Sequence, residues 1–63
     1  MSIDKKRNQV INLSLSVALA RQREVTEQET VDFLQEAGYS EDFSETQISE
    51  ITAEINQRYR SAS

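Results

Sequence analysis

The most regular pattern of apolar and polar positions lies in the middle of the chain. Residues 26–29 (TEQE) form a helix-capping box, in which the threonine oxygen reaches the third helical amide and the last glutamate reaches back. The apolar side chains that follow at helical spacing are Val31, Leu34 and Ala37, with Phe33 beside them. Gly38 then supplies the left-handed residue on which helices commonly end. The pattern predicts a helix over residues 27–37.

The same pattern returns after a short polar turn. Residues 44–47 (SETQ) form a second capping box, and Phe43 can pack on Ile48 as a hydrophobic staple. The apolar stripe behind the box consists of Ile48, Ile51, Ile55 and Tyr59. This stripe predicts a helix over residues 45–60, antiparallel to the helix over residues 27–37.

The first third of the chain fits two periods. At helical period the apolar residues are Ile11, Leu15, Ala18 and Leu19, flanked by Val10, Leu13, Val17 and Ala20. At period two, apolar residues alternate with Asn12, Ser14 and Ser16, which is a strand pattern. Residues 17–24 (VALARQRE) are mostly good helix formers, and they favour a helix over about residues 8–23.

The sequence therefore predicts an all-α, small three-helix protein. The predicted helices cover about residues 8–23, 27–37 and 45–60. We expect a single small helical domain over residues 1–63, with frayed ends at residues 1–4 and 61–63. A chain of 63 residues buries only about 60% of the surface that its unfolded form exposes. It has no cysteine for a disulfide and no histidine for zinc, so self-association is the remaining way to gain burial. We expect a homodimer.

The interface of that dimer is predicted from the apolar content of the first helix. If residues 8–23 are helical, they are apolar over more than half of their circumference, which is more than two short helices can cover. The excess needs a second copy of the chain or another protein. The predicted dimer or partner interface consists of Val10, Ile11, Leu13, Leu15, Val17 and Leu19.

A strand at residues 10–15 leads to a different function. A basic leader, a short alternating strand and two helices together resemble the ribbon-helix-helix repressors, in which two chains pair their strands in the DNA major groove. The resemblance implies that Asn12 and Ser14 face the bases and that residues 5–7 (KKR) meet phosphate. DNA is a partner only under this alternative. The acidic body of the chain, which phosphate would repel, favours the helical interpretation.

Composition excludes most catalytic chemistry. Without cysteine or histidine there is no thiol nucleophile and no imidazole acid or base. One glycine is too few for the glycine-rich phosphate loops. Residues 42–54 lack the ligand spacing of a calcium loop. We therefore expect no enzyme activity, no cofactor and no metal site.

The charges are unevenly distributed along the chain. Residues 1–23 carry five bases and one acid, whereas residues 24–56 carry ten acids and no base. A continuous acidic surface of this kind either serves solubility or attracts a basic partner. The predicted acidic docking face consists of Glu29, Asp32 and Glu36.

These patterns together predict a regulatory or inhibitory protein that acts by binding a protein partner. No window approaches the 18 or so apolar residues of a membrane span, so we expect a cytoplasmic protein without a membrane partner. The sequence does not identify the protein partner.

Overall fold

A computed structural model describes residues 2–62, which fold into three α-helices. Helix α1 spans Ile3–Arg21, α2 spans Glu27–Ala37 and α3 spans Glu45–Ala62. The described residues contain no strand. The prediction of an all-α, three-helix protein is therefore confirmed. The ribbon alternative requires an extended backbone at residues 10–15, and these residues lie inside α1.

The bounds of α2 coincide with its predicted bounds, and α3 begins as predicted and continues two residues further. Helix α1 begins five residues earlier than predicted and ends two residues earlier. Of the ends expected to fray, residues 3–4 and 61–62 are helical. Met1 and Ser63 lie outside the described residues.

Both capping boxes form. Thr26 Oγ1 accepts a hydrogen bond from the Glu29 N–H (3.1 Å), and Glu29 Oε1 accepts one from the Thr26 N–H (2.9 Å). At the start of α3, Ser44 Oγ accepts from the Gln47 N–H (3.3 Å), and Gln47 Oε1 accepts from the Ser44 N–H (2.8 Å). Each box satisfies amides that the first helical turn leaves without an intrahelical partner.

The ends of α1 and α2 use the same backbone conformation with different residues. Gly38 ends α2 in the left-handed region, at a φ of 81°. Gln22 ends α1 in that region too, at a φ of 56°, and its N–H donates to the last turn of the helix. Left-handed backbone costs a residue with a Cβ about 1 kcal/mol or more, and glycine avoids that cost.

Helix α1 packs against both helices of the α2–α3 hairpin, more extensively against α3. Within residues 2–62, the buried apolar core consists of Val10, Ile11, Ala18, Val25, Phe33, Leu34, Phe43, Ile51 and Ile55. Every helix and both connections contribute to this list. The core therefore holds all three helices together.

Three buried polar side chains lie among these apolar residues. The hydroxyls of Thr30 and Thr52 are 2.6 Å apart and join α2 to α3. Ser14 on α1 is fully buried, and its Oγ has no hydrogen-bond partner among the described residues. A hydroxyl buried without a partner lowers stability because it has lost its hydrogen bonds to water.

The connection between α1 and α2 is fixed to α3 by one amide. Asn56 Oδ1 accepts from the Val25 N–H (2.8 Å), and Asn56 Nδ2 donates to the Val25 carbonyl (2.9 Å). Val25 itself is buried. One side chain thus satisfies both backbone groups of a buried residue in a connecting segment, where no regular secondary structure can do so.

Candidate interaction surfaces

Between residues 9 and 20, the side of α1 that faces away from the core carries no charge, and Lys5 lies one turn before this stretch. We call this side the outer face of α1, and it consists of the exposed residues Gln9, Asn12, Leu13, Ser16, Leu19 and Ala20. Leu13 and Leu19 are 45% and 42% exposed, large fractions for leucines in so small a protein. A neutral face of this length is unusual in a chain of which 29% of the residues are charged.

The predicted interface residues divide between the core and this surface. Val10 and Ile11 are fully buried in the chain's own core, and Val17 is partly buried against that core. Leu15 is also partly buried. Leu13 and Leu19 remain on the outer face of α1. Of the predicted interface residues, Leu13 and Leu19, at the two edges of the outer face, are therefore the ones available to a partner.

A shallow groove lies beside Leu13, where α1 meets the end of α2. It is lined by Gln9, Val10, Asn12, Leu13, Ala37 and Tyr39. Tyr39 donates a hydrogen bond to Gln9 Oε1 (2.6 Å), and Lys6 Nζ lies 5.3 Å from the centre of the tyrosine ring. Tyr39 thus serves contacts within the chain, which also fix this wall of the groove.

Nearly all basic side chains are used in ion pairs within the chain. The pairs are Lys6–Asp42 (3.2 Å), Arg7–Glu54 (3.8 Å), Arg58–Glu54 (3.4 Å), Arg21–Glu29 (3.1 Å), Arg23–Glu29 (2.7 Å) and Arg60–Glu24 (3.1 Å). Among the described residues, Lys5 is the one base without an acidic partner. Arg58–Glu54 lies within α3, and the other pairs join α1, or the segments next to it, to the hairpin.

The acids outnumber these bases, so many carboxylates face solvent alone. Within residues 2–62, the exposed acids that make no ion pair are Asp4, Glu27, Asp32, Glu36, Glu41, Glu45 and Glu50. Most of them lie on the hairpin, where the sequence between residues 24 and 56 supplies no base. The hairpin surface is therefore negative, and the outer face of α1 is neutral.

The three residues of the predicted acidic docking face lie together on one side of α2. Glu29, Asp32 and Glu36 line a groove with Arg21 and Phe33. They share one side of α2 because residues three and four apart along a helix are neighbours. The three carboxylates differ in whether they are available to a partner, because Arg21 and Arg23 both contact Glu29.

The carboxylate of Glu29 is occupied by hydrogen bonds within the chain. Both of its oxygens accept from the Arg23 guanidinium, at 3.1 and 2.7 Å. The hydrogen bond from Arg23, followed by the hydrogen bond from the Thr26 backbone N–H, holds the pKa of the Glu29 carboxyl below its ordinary value. Asp32 and Glu36 are therefore the members of the predicted face that can meet a cation.

A second groove, which we call the α2–α3 groove, lies between the hairpin helices. It is lined by Glu27, Gln28, Val31, Glu45 and Ile48, and its volume is ≈ 350 Å³. Val31 and Ile48 are partly buried, whereas Glu27 and Glu45 are exposed. The sequence placed the apolar pair in the core stripes and the glutamates in the capping boxes, so it did not predict a shared surface. The one sequence feature that could have indicated this surface is the absence of Lys and Arg from residues 24–56.

The described part of the chain brings no group of acidic side chains into a geometry that could hold a metal ion. Over the same residues, none of the helices is both long and apolar enough to cross a membrane. Comparison with protein-family models, with curated proteins and with solved structures found no match to this chain.

Proposed function

We propose that this chain is a non-enzymatic binding protein, a small regulator or inhibitor that forms a homodimer through α1 and presents an acidic surface to a protein partner. The observation that carries the proposal is the outer face of α1. It combines two exposed leucines with the absence of any charged residue between residues 9 and 20, in a chain of which 29% of the residues are charged.

Burial of these leucines supplies the driving force. Complete burial of a fully exposed leucine stabilises an association by about 1.5–3 kcal/mol, and Leu13 and Leu19, which are 45% and 42% exposed, each gain roughly half of that. In a two-fold interface each leucine counts twice, because the same surface is contributed by both copies. Leu13 and Leu19 can therefore offset a substantial part of the entropy that two chains lose on association.

The charge distribution favours this face over the other surfaces of the molecule. The chain has a net charge of −4, and its unpaired acids lie mostly on the hairpin. Two copies that met through the hairpin would bring like charges together, which is unfavourable. Two copies that meet through α1 avoid this repulsion. Ser16 and Ala20, one turn apart between the leucines, are small enough to allow close approach of the helix axes.

The acidic surface supports the second half of the proposal. Asp32 and Glu36 are exposed and make no ion pair among the described residues. Carboxylates of this kind attract a basic protein over roughly a Debye length, about 8–10 Å at physiological salt. Such attraction increases association rates and falls as salt is added.

The test of self-association is the molar mass of the chain in solution. We expect the natural chain to elute as a dimer in size-exclusion chromatography with light scattering. The double variant Leu13→Asp, Leu19→Asp should elute as a monomer, because it buries a charge in each half of the interface. Leu15 is a poorer target, since it is partly buried and its replacement would also affect the monomer.

A matched control adds the same two charges elsewhere. Ser49→Asp with Ala53→Asp changes two exposed positions of α3 and should leave the dimer intact. Far-ultraviolet circular dichroism of each variant establishes that the helices are retained. A natural chain that stays monomeric up to high concentration would contradict the proposed dimer. Dissociation by the α3 variant alone would place the interface on α3 and overturn the assignment to α1.

A further inference from the structure

We propose that the α2–α3 groove is the docking site for a basic segment of another protein, which inserts one aliphatic side chain between Val31 and Ile48. Lysines or arginines on either side of that side chain would meet Glu27 and Glu45. The inference rests on the acidic-surface half of the proposed function and names its site and the chemistry of its ligand. It does not depend on self-association.

The floor of the groove is suited to a single aliphatic anchor. Val31 and Ile48 are partly buried, and Ile48 packs against the core, so the floor is fixed by the fold. A volume of ≈ 350 Å³ lies near the lower end of the range of about 300–1,000 Å³ seen for ligand pockets. A side chain that enters this space removes apolar surface of the groove and of the ligand from water.

The rim of the groove is suited to cations. Glu27 and Glu45 are exposed and make no ion pair among the described residues. The lining contains no base, since Gln28 is its remaining member. An incoming lysine or arginine therefore gains an ion pair without displacing one. The groove that contains Glu29 differs, because a cation there has to compete with Arg21 and Arg23.

The glutamates have a structural role as well, which the experiment must separate from binding. Glu27 and Glu45 are the first residues of α2 and α3, where a carboxylate stabilises the positive end of the helix dipole. That role explains the carboxylates but not the accessible apolar floor between them. Substitution by glutamine removes the charge and keeps the shape, so it isolates the electrostatic contribution to binding.

The experiment measures binding of a synthetic peptide to the full chain by fluorescence anisotropy at low salt. The probe is a labelled helical peptide with one central leucine and a lysine or arginine one turn to each side. We expect Glu27→Gln with Glu45→Gln to weaken binding about tenfold or more, since each ion pair contributes about 1 kcal/mol. The isosteric change Val31→Thr should weaken it too, as should replacement of the peptide leucine by serine.

The matched control is Glu41→Gln with Glu50→Gln, which removes the same charge from two exposed positions outside both the α2–α3 groove and the predicted acidic docking face. We expect it to change the affinity less than about twofold, because these carboxylates lie outside the groove. A control that weakens binding as much as the groove variant would overturn the groove as the site. It would leave the acidic-surface proposal standing.

Two other results would also contradict the inference. Absence of binding to every basic peptide would remove both the groove and the acidic-surface half of the proposed function. A change in dimer mass caused by the groove variant would make a second copy of this chain the occupant. Thermal unfolding of each variant shows that the helices persist, so a loss of affinity is not a loss of fold.

Discussion

Helix α1 and the α2–α3 hairpin use apolar residues in opposite ways. In α2 and α3 these residues lie on one side, and the opposite side is polar and mostly acidic. In α1 they lie all around the helix, so Ile11 and Ala18 face the core while Leu13 and Leu19 face solvent. The hairpin thus has the composition of a helix pair with one covered side. Helix α1 has apolar residues on two sides, and within the monomer the hairpin covers one of these two sides.

The two regions also differ in how the bounds of their helices are specified. The hairpin helices begin at reciprocal capping boxes, and α2 ends at a glycine, so local side chains define their bounds. Helix α1 begins at a single cap from Ser2 and ends at Gln22 in a left-handed conformation. Its position depends on the core and on contacts that fix its connection to the hairpin. Three substitutions test this difference, in descending order of expected effect.

The largest effect is expected at Asn56, which attaches the connection between α1 and α2 to α3. Asn56→Ala leaves the N–H and the carbonyl of the buried Val25 without partners, and each such group costs about 1–3 kcal/mol. We expect the free energy of unfolding to fall by about 2–4 kcal/mol, measured by urea denaturation monitored by circular dichroism. For a chain of this size that is a large share of the total stability.

A graded control is available at the same position. Asn56→Asp keeps an acceptor for the Val25 N–H but places a carboxylate oxygen against the Val25 carbonyl. We expect Asn56→Asp to have a lower free energy of unfolding than the natural chain and, at neutral pH, to hold the α1–α2 connection less tightly against α3. The neighbouring exposed change Gln57→Ala should have little effect. A loss below about 0.5 kcal/mol for Asn56→Ala would mean that water replaces the amide.

The fold could be predicted from the sequence where signals are local. The four-residue capping boxes that begin at Thr26 and Ser44 mark the starts of α2 and α3, and Gly38 marks the end of α2. Helix α1 ends two residues before its predicted end, because Gln22 adopts the left-handed conformation there and glutamine, unlike glycine, does not indicate that conformation in a sequence. Its start was predicted late because the bases near Lys5 oppose the helix dipole, and the Ser2 cap offsets that cost.

The candidate surfaces could be predicted only in part. The sequence shows that residues 10–19 are rich in apolar side chains, but the side that faces the core is decided by the position of the hairpin, which is a long-range property. Ser14 illustrates the limit, since a polar residue lies in the core while Leu13 beside it is exposed. The hydrogen bonds of Asn56 and the commitment of Glu29 to two arginines are long-range or cross-element contacts, which periodicity cannot reveal.

A smaller and stabilising effect is expected at Ser14. Its hydroxyl is fully buried without a hydrogen-bond partner among the described residues, so Ser14→Ala removes an unsatisfied group from the core side of α1. Alanine is also the better helix former. We expect the free energy of unfolding to rise by about 1–2 kcal/mol, measured as an increase in the urea midpoint.

The control is the same chemical change on the outer face of α1. Ser16 is exposed, so Ser16→Ala should give only the helix-propensity gain of about 0.5 kcal/mol. The difference between the two variants then measures the cost of burying the Ser14 hydroxyl. Equal gains would show that the hydroxyl finds a partner in solution, and the contrast between the two sides of α1 would be weaker than described.

The smallest effect is expected at Glu29, where α1 and α2 are joined by charge. The hydrogen bond from Arg23 and then that from the Thr26 N–H lower the pKa of Glu29 in the folded chain. The unfolded chain therefore binds the proton more tightly, and the stability from this carboxylate is fully present above the unfolded pKa of about 4.3. It is lost as the pH falls through the lower folded pKa.

Glutamine at this position removes the charge and can still complete the capping box. Glu29→Gln should therefore lower stability by about 0.5–1 kcal/mol at neutral pH, the usual contribution of a partly exposed ion pair. The difference from the natural chain should disappear as the pH falls below the folded pKa, measured by urea denaturation across the acid range. Arg23→Gln removes the largest cause of the pKa shift and should reduce the same pH dependence. If the gap between Glu29→Gln and the natural chain stays constant with pH, the arginines stabilise this end of α1 by packing alone, and charge does not join the two regions.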